Sequence, residues 1–262
     1  MPEPESTAVI DRVFAILQVC ADSRRTLSLA DLTRETGLPK STLHRLCGKL
    51  ASIGALERRS DGFRIGPRLF SLGALNPAMQ RLRTHSMPSL YRLSVETGLI
   101  SNLAVLQGDR ALLIDEVFPD ERPVPRLVGA LLPLHATALG KALLSAEPPD
   151  RRRELLGTSP LERFTRHTII EHSKLLDQLE TIERTGVAFS LEESRLGFAG
   201  VAAPVIVDGK AEGAIALVGI TRSSDAESYA GIVMRAAAVT GKTLRNPVIR
   251  DARAGFAEIV ES

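Results

Sequence analysis

Tryptophan is absent from the 262-residue sequence, tyrosine and cysteine occur twice each, and no long uninterrupted apolar run is present. A bilayer-spanning helix needs about 20 apolar residues, so none is predicted and no membrane partner is expected. The opening residues, MPEPEST, are acidic and contain proline, unlike a signal peptide. Cys20 and Cys47 lack CxxC spacing, which favours reduced thiols over a disulfide framework. These absences predict a cytoplasmic protein.

Strong overall charge is also lacking, because 33 basic and 31 acidic residues leave a net charge of only +2. Affinity for nucleic acid would therefore have to come from a local cluster of bases. One such cluster lies between residues 40 and 68, where seven bases and two acids give a balance of seven minus two, or +5. The bases are Lys40, Arg45, Lys49, Arg58, Arg59, Arg64 and Arg68, and the acids are Glu57 and Asp61. A solvated surface usually mixes both signs, so this imbalance indicates a polyanionic partner.

The length predicts two domains, and the first has the pattern of three short helices. Apolar residues recur at helical spacing from Val9 to Cys20, Ser28 can cap a second helix that Gly37 ends, and Pro39 suits the first turn of a third. The third helix gathers on one side Leu43, Leu46, Cys47, Leu50 and Ile53. The segment ALERRSDGFRIG then predicts two short strands around a Ser-Asp-Gly turn. Together these elements indicate a winged helix-turn-helix.

The other side of the third helix carries bases, hydroxyls and a histidine, but no acid: Lys40, Ser41, Thr42, His44, Arg45 and Lys49. A helix in the major groove needs donors for phosphates and base edges, and an acid there would repel the DNA backbone. We therefore expect double-stranded DNA as a partner. Two alternatives remain open at this point, namely a winged helix that binds protein and a helix face that is merely solvated.

Three segments of this half resemble the DNA-binding half of IclR-family transcriptional regulators: STAVIDRVFAILQVCAD, LSLADLTRETGLPKSTLHRLCGKLASIGAL and GFRIGPRLFSLGA. The resemblance implies that the six residues just named enter the groove, with Arg45 toward base edges and Ser41 and Thr42 near the helix N-terminus. It also implies that Arg58, Arg59 and Arg64 of the wing touch flanking phosphates. The expected function is a ligand-responsive regulator, repressor or activator, that recognises a palindromic operator.

Residues 67–76 predict a linker helix between a DNA-binding domain, residues 1–66, and a second domain, residues 77–262. Apolar residues recur at helical spacing across this region, interrupted by Pro77 and Pro88: Leu69, Leu72, Leu75, Met79 and Leu82. Such a stripe favours packing against a second copy, although it could instead cover its own domain. We expect a homodimer, or a homotetramer built as a dimer of dimers.

The second half changes to strand periodicity between helices, which predicts an α+β domain. SNLAVLQGDRALLIDEV and AGVAAPVIVDGKAEGAIALVGI each indicate two strands around a glycine-containing turn. Helices are expected over residues 138–145, 150–156, 172–185 and 225–245. The segments PLHATALGKALLSA, GVAFSLEES and GVAAPV resemble the effector-binding domain of the same family, which implies a GAF-like fold.

A helix start in this domain suits a carboxylate ligand through its free N–H groups: Ala136, Thr137, Ala138, Leu139 and Gly140. The small residues there could equally serve close packing, but the resemblance favours a pocket and adds to its lining Ser190, Gly200, Ala216 and Val218. Family members that sense two- or three-carbon acids have an acidic residue, a cysteine and serines at these four positions. Alanine and valine offer no donor to a small buried carboxylate. We therefore expect a small-molecule effector that is a larger or more apolar organic acid, aromatic or ring-derived.

Catalytic motifs are missing, since the sequence has no GxSxG, GxxxxGK[ST] or HExxH, and neither an enzyme nor a cofactor is expected. His167 and His172 flank Glu171, but a metal site needs three or four convergent ligands, so no metal ligand is predicted and zinc stays an open question. Glu192 and Glu193 could act as acid and base, but adjacent acids more often lie at a solvated helix start. The alternative to a regulator is an enzyme acting on a small metabolite, with an appended helix-turn-helix.

Overall fold

The computed structural model describes residues 4–23, 25–120, 127–220 and 223–245. The chain divides into two compact units, Met1–Pro77 and Ala78–Ser262. Each unit has a hydrophobic core of its own. Among the described residues, no helix is both long enough and apolar enough to span a membrane.

The first unit contains three helices and a hairpin. Helices α1 (Pro4–Ser23), α2 (Leu29–Thr36) and α3 (Lys40–Ser52) precede the antiparallel strands β1 (Leu56–Arg59) and β2 (Gly62–Ile65). This is the predicted winged helix-turn-helix. One inward-facing residue was predicted wrongly: Ile53 is 53% exposed, because α3 ends at Ser52 and the chain leaves the helical path at Ile53.

Two helices follow the hairpin, α4 (Pro67–Ala74) and α5 (Pro77–Thr97). The residues of the apolar stripe predicted across them divide between the two units. Leu69 packs on the core of the first unit and Leu82 on that of the second, whereas Leu72 and Leu75 are exposed. The interruption predicted at Pro88 was also wrong: α5 continues through it, with Leu90 and Leu93 beyond it buried in the same core as Leu82.

The second unit is built on an antiparallel sheet with the strand order β5-β4-β3-β8-β7-β6. The strands are β3 (Ile100–Gln107), β4 (Arg110–Val117), β5 (Leu131–Pro133), β6 (Ala188–Leu191), β7 (Ala199–Val207) and β8 (Lys210–Ile220). The helices are α6 (Ala138–Ser145), α7 (Pro149–Leu156), α8 (His172–Thr185) and α9 (Ala230–Arg245). Residues of α5 and α9 share one core with the sheet, and residues of α6, α7 and α8 share another.

Both predicted hairpins are present, and the turn of the second has Asp208 and Gly209 at φ 50° and 79°, as a tight two-residue turn requires. The last helix begins later than predicted, because residues 223–229 form a 3₁₀ turn before α9. Strands β5 and β6 were not predicted. The α+β class of this domain is confirmed, and the sheet with its two helical layers positions the site described below.

Candidate DNA-binding surface and effector site

Helix α3 presents its basic side to solvent while its apolar side is buried. Thr42 is half-buried, and the exposed residues are Lys40, Ser41, His44, Arg45 and Lys49. The buried residues on the opposite side are Leu43, Leu46, Cys47 and Leu50. Because α3 contains no acidic residue, an approaching phosphate meets only positive or neutral side chains.

Helix α2 begins with a capping box and ends at a glycine in the left-handed conformation. The Ser28 hydroxyl accepts the Asp31 N–H, and the Asp31 carboxylate accepts the Ser28 N–H, each at 3.1 Å. Hydrogen bonds to its carboxylate lower the pKa of Asp31 from 3.8 to about 2. The Ser28 hydroxyl has the largest effect, followed by the Ser28 N–H and by Arg34. Gly37, at φ 69°, ends α2 and leaves two residues before α3, the short turn that a helix-turn-helix requires.

The wing carries its three arginines on two different faces. Glu57 forms ion pairs with Arg59 at 2.6 Å and with Arg64 at 2.7 Å. The hydrogen bond from Arg64 is the main cause that lowers the pKa of Glu57. Arg58 lies on the other face, with its guanidinium 5.9 Å from the centre of the Phe63 ring. A phosphate that reaches Arg59 or Arg64 therefore has to compete with a carboxylate, which the sequence did not predict.

The wing is also bonded to the residue two positions before α2. Leu27 and Phe63 exchange two backbone N–H···O hydrogen bonds of 2.8 Å. Gly62 permits this approach, since a Cβ there would lie 2.1 Å from the Leu27 carbonyl oxygen. Leu27 and Phe63 belong to the same core as Leu43 of α3, so the helix-turn-helix and the wing form one packed body.

Both cysteines lie in this core and are free thiols. Burial raises the pKa of Cys20 and of Cys47 to about 11. Neither thiol is therefore a nucleophile at neutral pH.

The predicted effector residues meet at the start of α6. Thr137 caps the helix by accepting the Gly140 N–H at 3.1 Å, and the Lys141 N–H donates to the Thr137 carbonyl. In the first turn of α6, the N–H groups of Ala138 and Leu139 have no acceptor within the helix and are free to bind a ligand. Gly140 has no room for a side chain, because a Cβ would lie 2.5 Å from Leu134 backbone atoms. Its small size therefore serves close packing, the second of the two interpretations of this segment.

The other four predicted residues lie beside that helix start on one end of the sheet. Gly200 pairs with Ser190 on β6 and with Val218 on β8, and a Cβ on Gly200 would be 3.6 Å from the Cβ of Ala138. The Ser190 hydroxyl donates to the Ala136 carbonyl at 2.8 Å and thereby fixes the loop before α6. Ala216 lies on the same face, in the core that contains α6. The structure thus brings the predicted residues together in one small, mostly apolar area.

Lys141 and Glu193 beside this area were not predicted as a pair. Lys141 is fully buried, and its Nζ lies 2.5 and 2.6 Å from the two carboxylate oxygens of Glu193. The prediction that Glu193 lies at a solvated helix start was wrong: it is 5% exposed, because it follows β6 and turns inward to meet the lysine. Burial lowers the pKa of Lys141, and the Glu193 carboxylate opposes that effect. An isolated Lys in an amphipathic helix gives no sequence signal for such a partner.

Asn102 and Glu116 are two further buried polar residues on the same sheet. They lie opposite each other on β3 and β4, and Asn102 also lies opposite Ala216 on β8. Glu116 Oε2 accepts the N–H groups of Leu127 and Val128 at 2.5 and 3.1 Å. A polar residue inside the apolar strands SNLAVL and LLIDEV was the signal available in the sequence.

His135 contacts a backbone carbonyl and an aromatic ring. His135 Nε2 lies 2.8 Å from the Glu162 carbonyl oxygen, and its ring stacks on Phe164 with centroids 5.7 Å apart. In the part of the chain that the structure describes, no three His, Cys, Asp or Glu side chains come together as ligands for a metal ion.

Comparison with known proteins assigns both units. Residues 9–60 match the IclR helix-turn-helix domain, and residues 78–240 match the C-terminal domain of the bacterial transcriptional regulator IclR. The chain is 33% identical to the HTH-type transcriptional regulator Rv1719 of Mycobacterium tuberculosis over 74% of its length and 75% of that protein. It is 32% identical to the HTH-type transcriptional regulator BhcR of Paracoccus denitrificans over 83% of its length and 79% of that protein.

A solved structure shows the same fold. An IclR homologue from Microbacterium hydrocarbonoxydans, crystallised in complex with 4-hydroxybenzoate, superimposes with a TM-score of 0.80 at 28% identity, over 90% of this chain and 98% of that one. A winged helix-turn-helix with a basic α3, followed by an effector-binding α+β domain, defines a DNA-binding transcriptional regulator. Because the two matched domains cover most of its length, the chain belongs to the IclR family.

Proposed function

We propose that this regulator binds a palindromic operator through α3 and the wing, and that a small organic acid with an aromatic ring is its effector. The main support for DNA binding is the exposed face of α3, which has no acidic residue. In this assignment Arg45 approaches base edges, while Ser41 and Thr42 contact phosphates near the helix N-terminus.

The wing supplies phosphate contacts from its two faces. Arg59 and Arg64 exchange Glu57 for a phosphate when DNA is bound, and an exposed ion pair costs little to break. Arg58 reaches a phosphate from the opposite face, with Phe63 beneath its guanidinium. Contacts of this kind add affinity for any duplex without reading its sequence.

Exposed apolar side chains of the first unit support a homodimer, or a dimer of dimers. Ile10 and Phe14 on α1 are 55% and 67% exposed, Phe70 on α4 is 77% exposed, and Leu75, directly after α4, is 72% exposed. Apolar patches of this kind mark protein interfaces, and a second copy of the chain is the partner we propose. A two-fold dimer of helix-turn-helix modules reads two inverted half-sites, which is the reason for a palindromic operator.

The apolar floor beside α6 supports an aromatic effector. This floor consists of Gly200, Ala216 and Val218, which are small or apolar residues suited to an aromatic ring. The free N–H groups at the start of α6 suit the carboxylate of the ligand. The relative that binds 4-hydroxybenzoate shares this fold over nine tenths of the chain. The effector acts by binding one arrangement of the protein more tightly than another, and it shifts the equilibrium only by that difference in affinity.

DNA binding is tested by fluorescence anisotropy with the region upstream of the protein's own gene, in low salt. We expect binding that Arg45→Ala weakens and makes less selective, and a symmetric footprint in a parallel nuclease-protection experiment. Arg153→Ala, which changes an exposed arginine of α7, is the matched control and should have no effect. Absence of any shift, with and without aromatic acids, would refute the proposal.

The effector class is tested by calorimetry of the full-length protein with benzoate, 4-hydroxybenzoate, pyruvate and glyoxylate. We expect the aromatic acids to bind and to be recovered chemically unchanged, because the protein regulates and does not catalyse. Tight binding of pyruvate or glyoxylate, with no aromatic binding, would contradict the proposed class. Turnover of the ligand would instead favour an enzyme.

A further inference from the structure

One polar atom at the effector site has no partner, the amide oxygen of Asn102. Asn102 is 7% exposed, and its Oδ1 makes no hydrogen bond to any part of the chain that the structure describes. Buried side-chain oxygens are nearly always paired. An unpaired one on a binding face points to a group that the ligand brings.

The register of the sheet places Asn102 on the face of the effector site. Side chains directly opposite each other on neighbouring strands point to the same face. Asn102 lies opposite Ala216, and Ala216 lies opposite Ala202. Both alanines are in the core that contains α6, so the Asn102 amide points to the α6 side of the sheet.

Glu116 decides what kind of group the ligand must bring. It lies opposite Asn102 on β4, on the same face, where paired side chains are close neighbours. Its carboxylate favours the amide orientation in which Nδ2 faces Glu116 and Oδ1 is left for the ligand. The same carboxylate repels a ligand anion from this end of the site. A donor is therefore favoured beside Asn102, and an anion is disfavoured.

The anion-binding end lies on the other side of the floor. Gly200, under the start of α6, is on β7, and Asn102 is on β3, with β8 between them. Two strand spacings, together with the two-residue offset between Ala202, which is in register with Asn102, and Gly200, put these positions about 12 Å apart. One aromatic ring with substituents at opposite ends, together with a hydrogen bond at each end, bridges such a distance.

We propose that the effector carries a hydrogen-bond donor, a hydroxyl or amino group, at the end opposite its carboxylate, and that Asn102 selects for it. This inference rests on the effector site of the proposed function. Asn102 is thereby a specificity-determining residue, while the ring and the carboxylate are bound by the floor and by α6.

The test is calorimetry of the full-length wild-type protein with four para-substituted benzoates of similar size. 4-Hydroxybenzoate and 4-aminobenzoate carry a donor, whereas 4-fluorobenzoate and 4-methylbenzoate do not. We expect the donors to bind at least about tenfold more tightly, because the analogues leave Oδ1 unpaired. Asn102→Leu, with operator binding as the check on its fold, should bind all four alike.

The outcomes separate this inference from the proposed function. If all four benzoates bind equally well to the wild-type protein, the role of Asn102 is wrong while the aromatic effector class stands. If the donor preference persists in Asn102→Leu, another residue makes the contact and the inference is overturned. If only pyruvate or glyoxylate binds, the effector class itself fails, and this inference fails with it.

Discussion

The Lys141 ammonium and the Glu193 carboxylate lie 2.5 Å apart in a place from which water is excluded. This pair joins α6, whose start forms the proposed effector site, to the loop that follows β6. Thr165 and Thr168 hold the same loop by donating to the carbonyls of Glu192 and Glu193, each at 2.7 Å. The pair therefore positions the start of α6 and is not itself expected to touch the ligand.

Replacement of the lysine alone should destabilise the effector-binding domain. Lys141→Met leaves the Glu193 carboxylate buried without a counter-charge, which typically costs about 3–5 kcal/mol. Urea unfolding followed by circular dichroism measures the loss. The double variant Lys141→Met/Glu193→Leu should recover most of it, because both charges are then removed. Lys174→Met, which breaks the exposed pair with Glu171, should change stability by less than about 1 kcal/mol. Equal losses in both single variants would contradict a buried pair.

Glu57→Gln should tighten binding to every duplex. The change releases Arg59 and Arg64 from their shared carboxylate and removes a charge that repels phosphates. We expect a gain of about two- to fivefold, in line with the modest energy of exposed pairs. Anisotropy titrations on operator and unrelated DNA measure it. Glu154→Gln makes the same change at an arginine-paired glutamate of α7 and should leave DNA binding unaltered.

Arg59→Ala should weaken all DNA sequences alike and flatten the dependence of log affinity on log salt by about one unit. The reason is that one phosphate contact, and the counterion released by it, is lost. Titrations between low and moderate salt give the slope. An unchanged slope would remove Arg59 from the phosphate contacts.

Neither Cys20 nor Cys47 should react with a disulfide reagent in the native protein at pH 8. Burial raises the pKa of Cys20 and Cys47 to about 11, so the reactive thiolate is scarce, and both sulfurs lie in the core. In urea both should react. A fast-reacting thiol without urea would show that this core opens readily.

Asp31→Asn should lower stability near pH 7 and much less near pH 2. The pKa of Asp31 is about 2 in the folded protein against an ordinary 3.8, so its cap stabilises the fold above about pH 4. That contribution falls steeply between about pH 4 and pH 2 and is gone only below the folded-state pKa, where the carboxyl is protonated in both states. Urea unfolding at several pH values should show the two curves converging in acid. If the difference in free energy of unfolding between wild type and variant did not change with pH, the lowered pKa of Asp31 would not contribute to stability.

Periodicity and turn chemistry predicted the elements that depend on neighbouring residues. The third helix, its basic face and both hairpins follow from residue spacing and from turns such as Asp208–Gly209. Strand β5 was not predicted because its three residues, which include Pro133, are too few to show the alternation of apolar and polar residues typical of a strand. Ile53 was misplaced because a helix end is set by the chain that follows it.

Pairings between distant residues could not be predicted. Lys141 and Glu193 are 52 positions apart, and only the sheet brings them together. Asn102 is a polar residue in an apolar strand that was not singled out from the sequence, and its lack of a partner depends on β4 and β8. The carboxylate of Glu57 was visible as an acid among bases, whereas its contacts with Arg59 and Arg64 depend on the hairpin register.

The two backbone bonds between Leu27 and Phe63 leave the wing no hinge of its own. The helix-turn-helix and the wing therefore cannot move relative to each other, because such a movement would break these hydrogen bonds. In the proposed dimer, an effector would therefore change the position of each winged helix-turn-helix as a whole. The separation of the two half-sites would then be the controlled quantity, and changing the spacing of the operator should change its response to the effector.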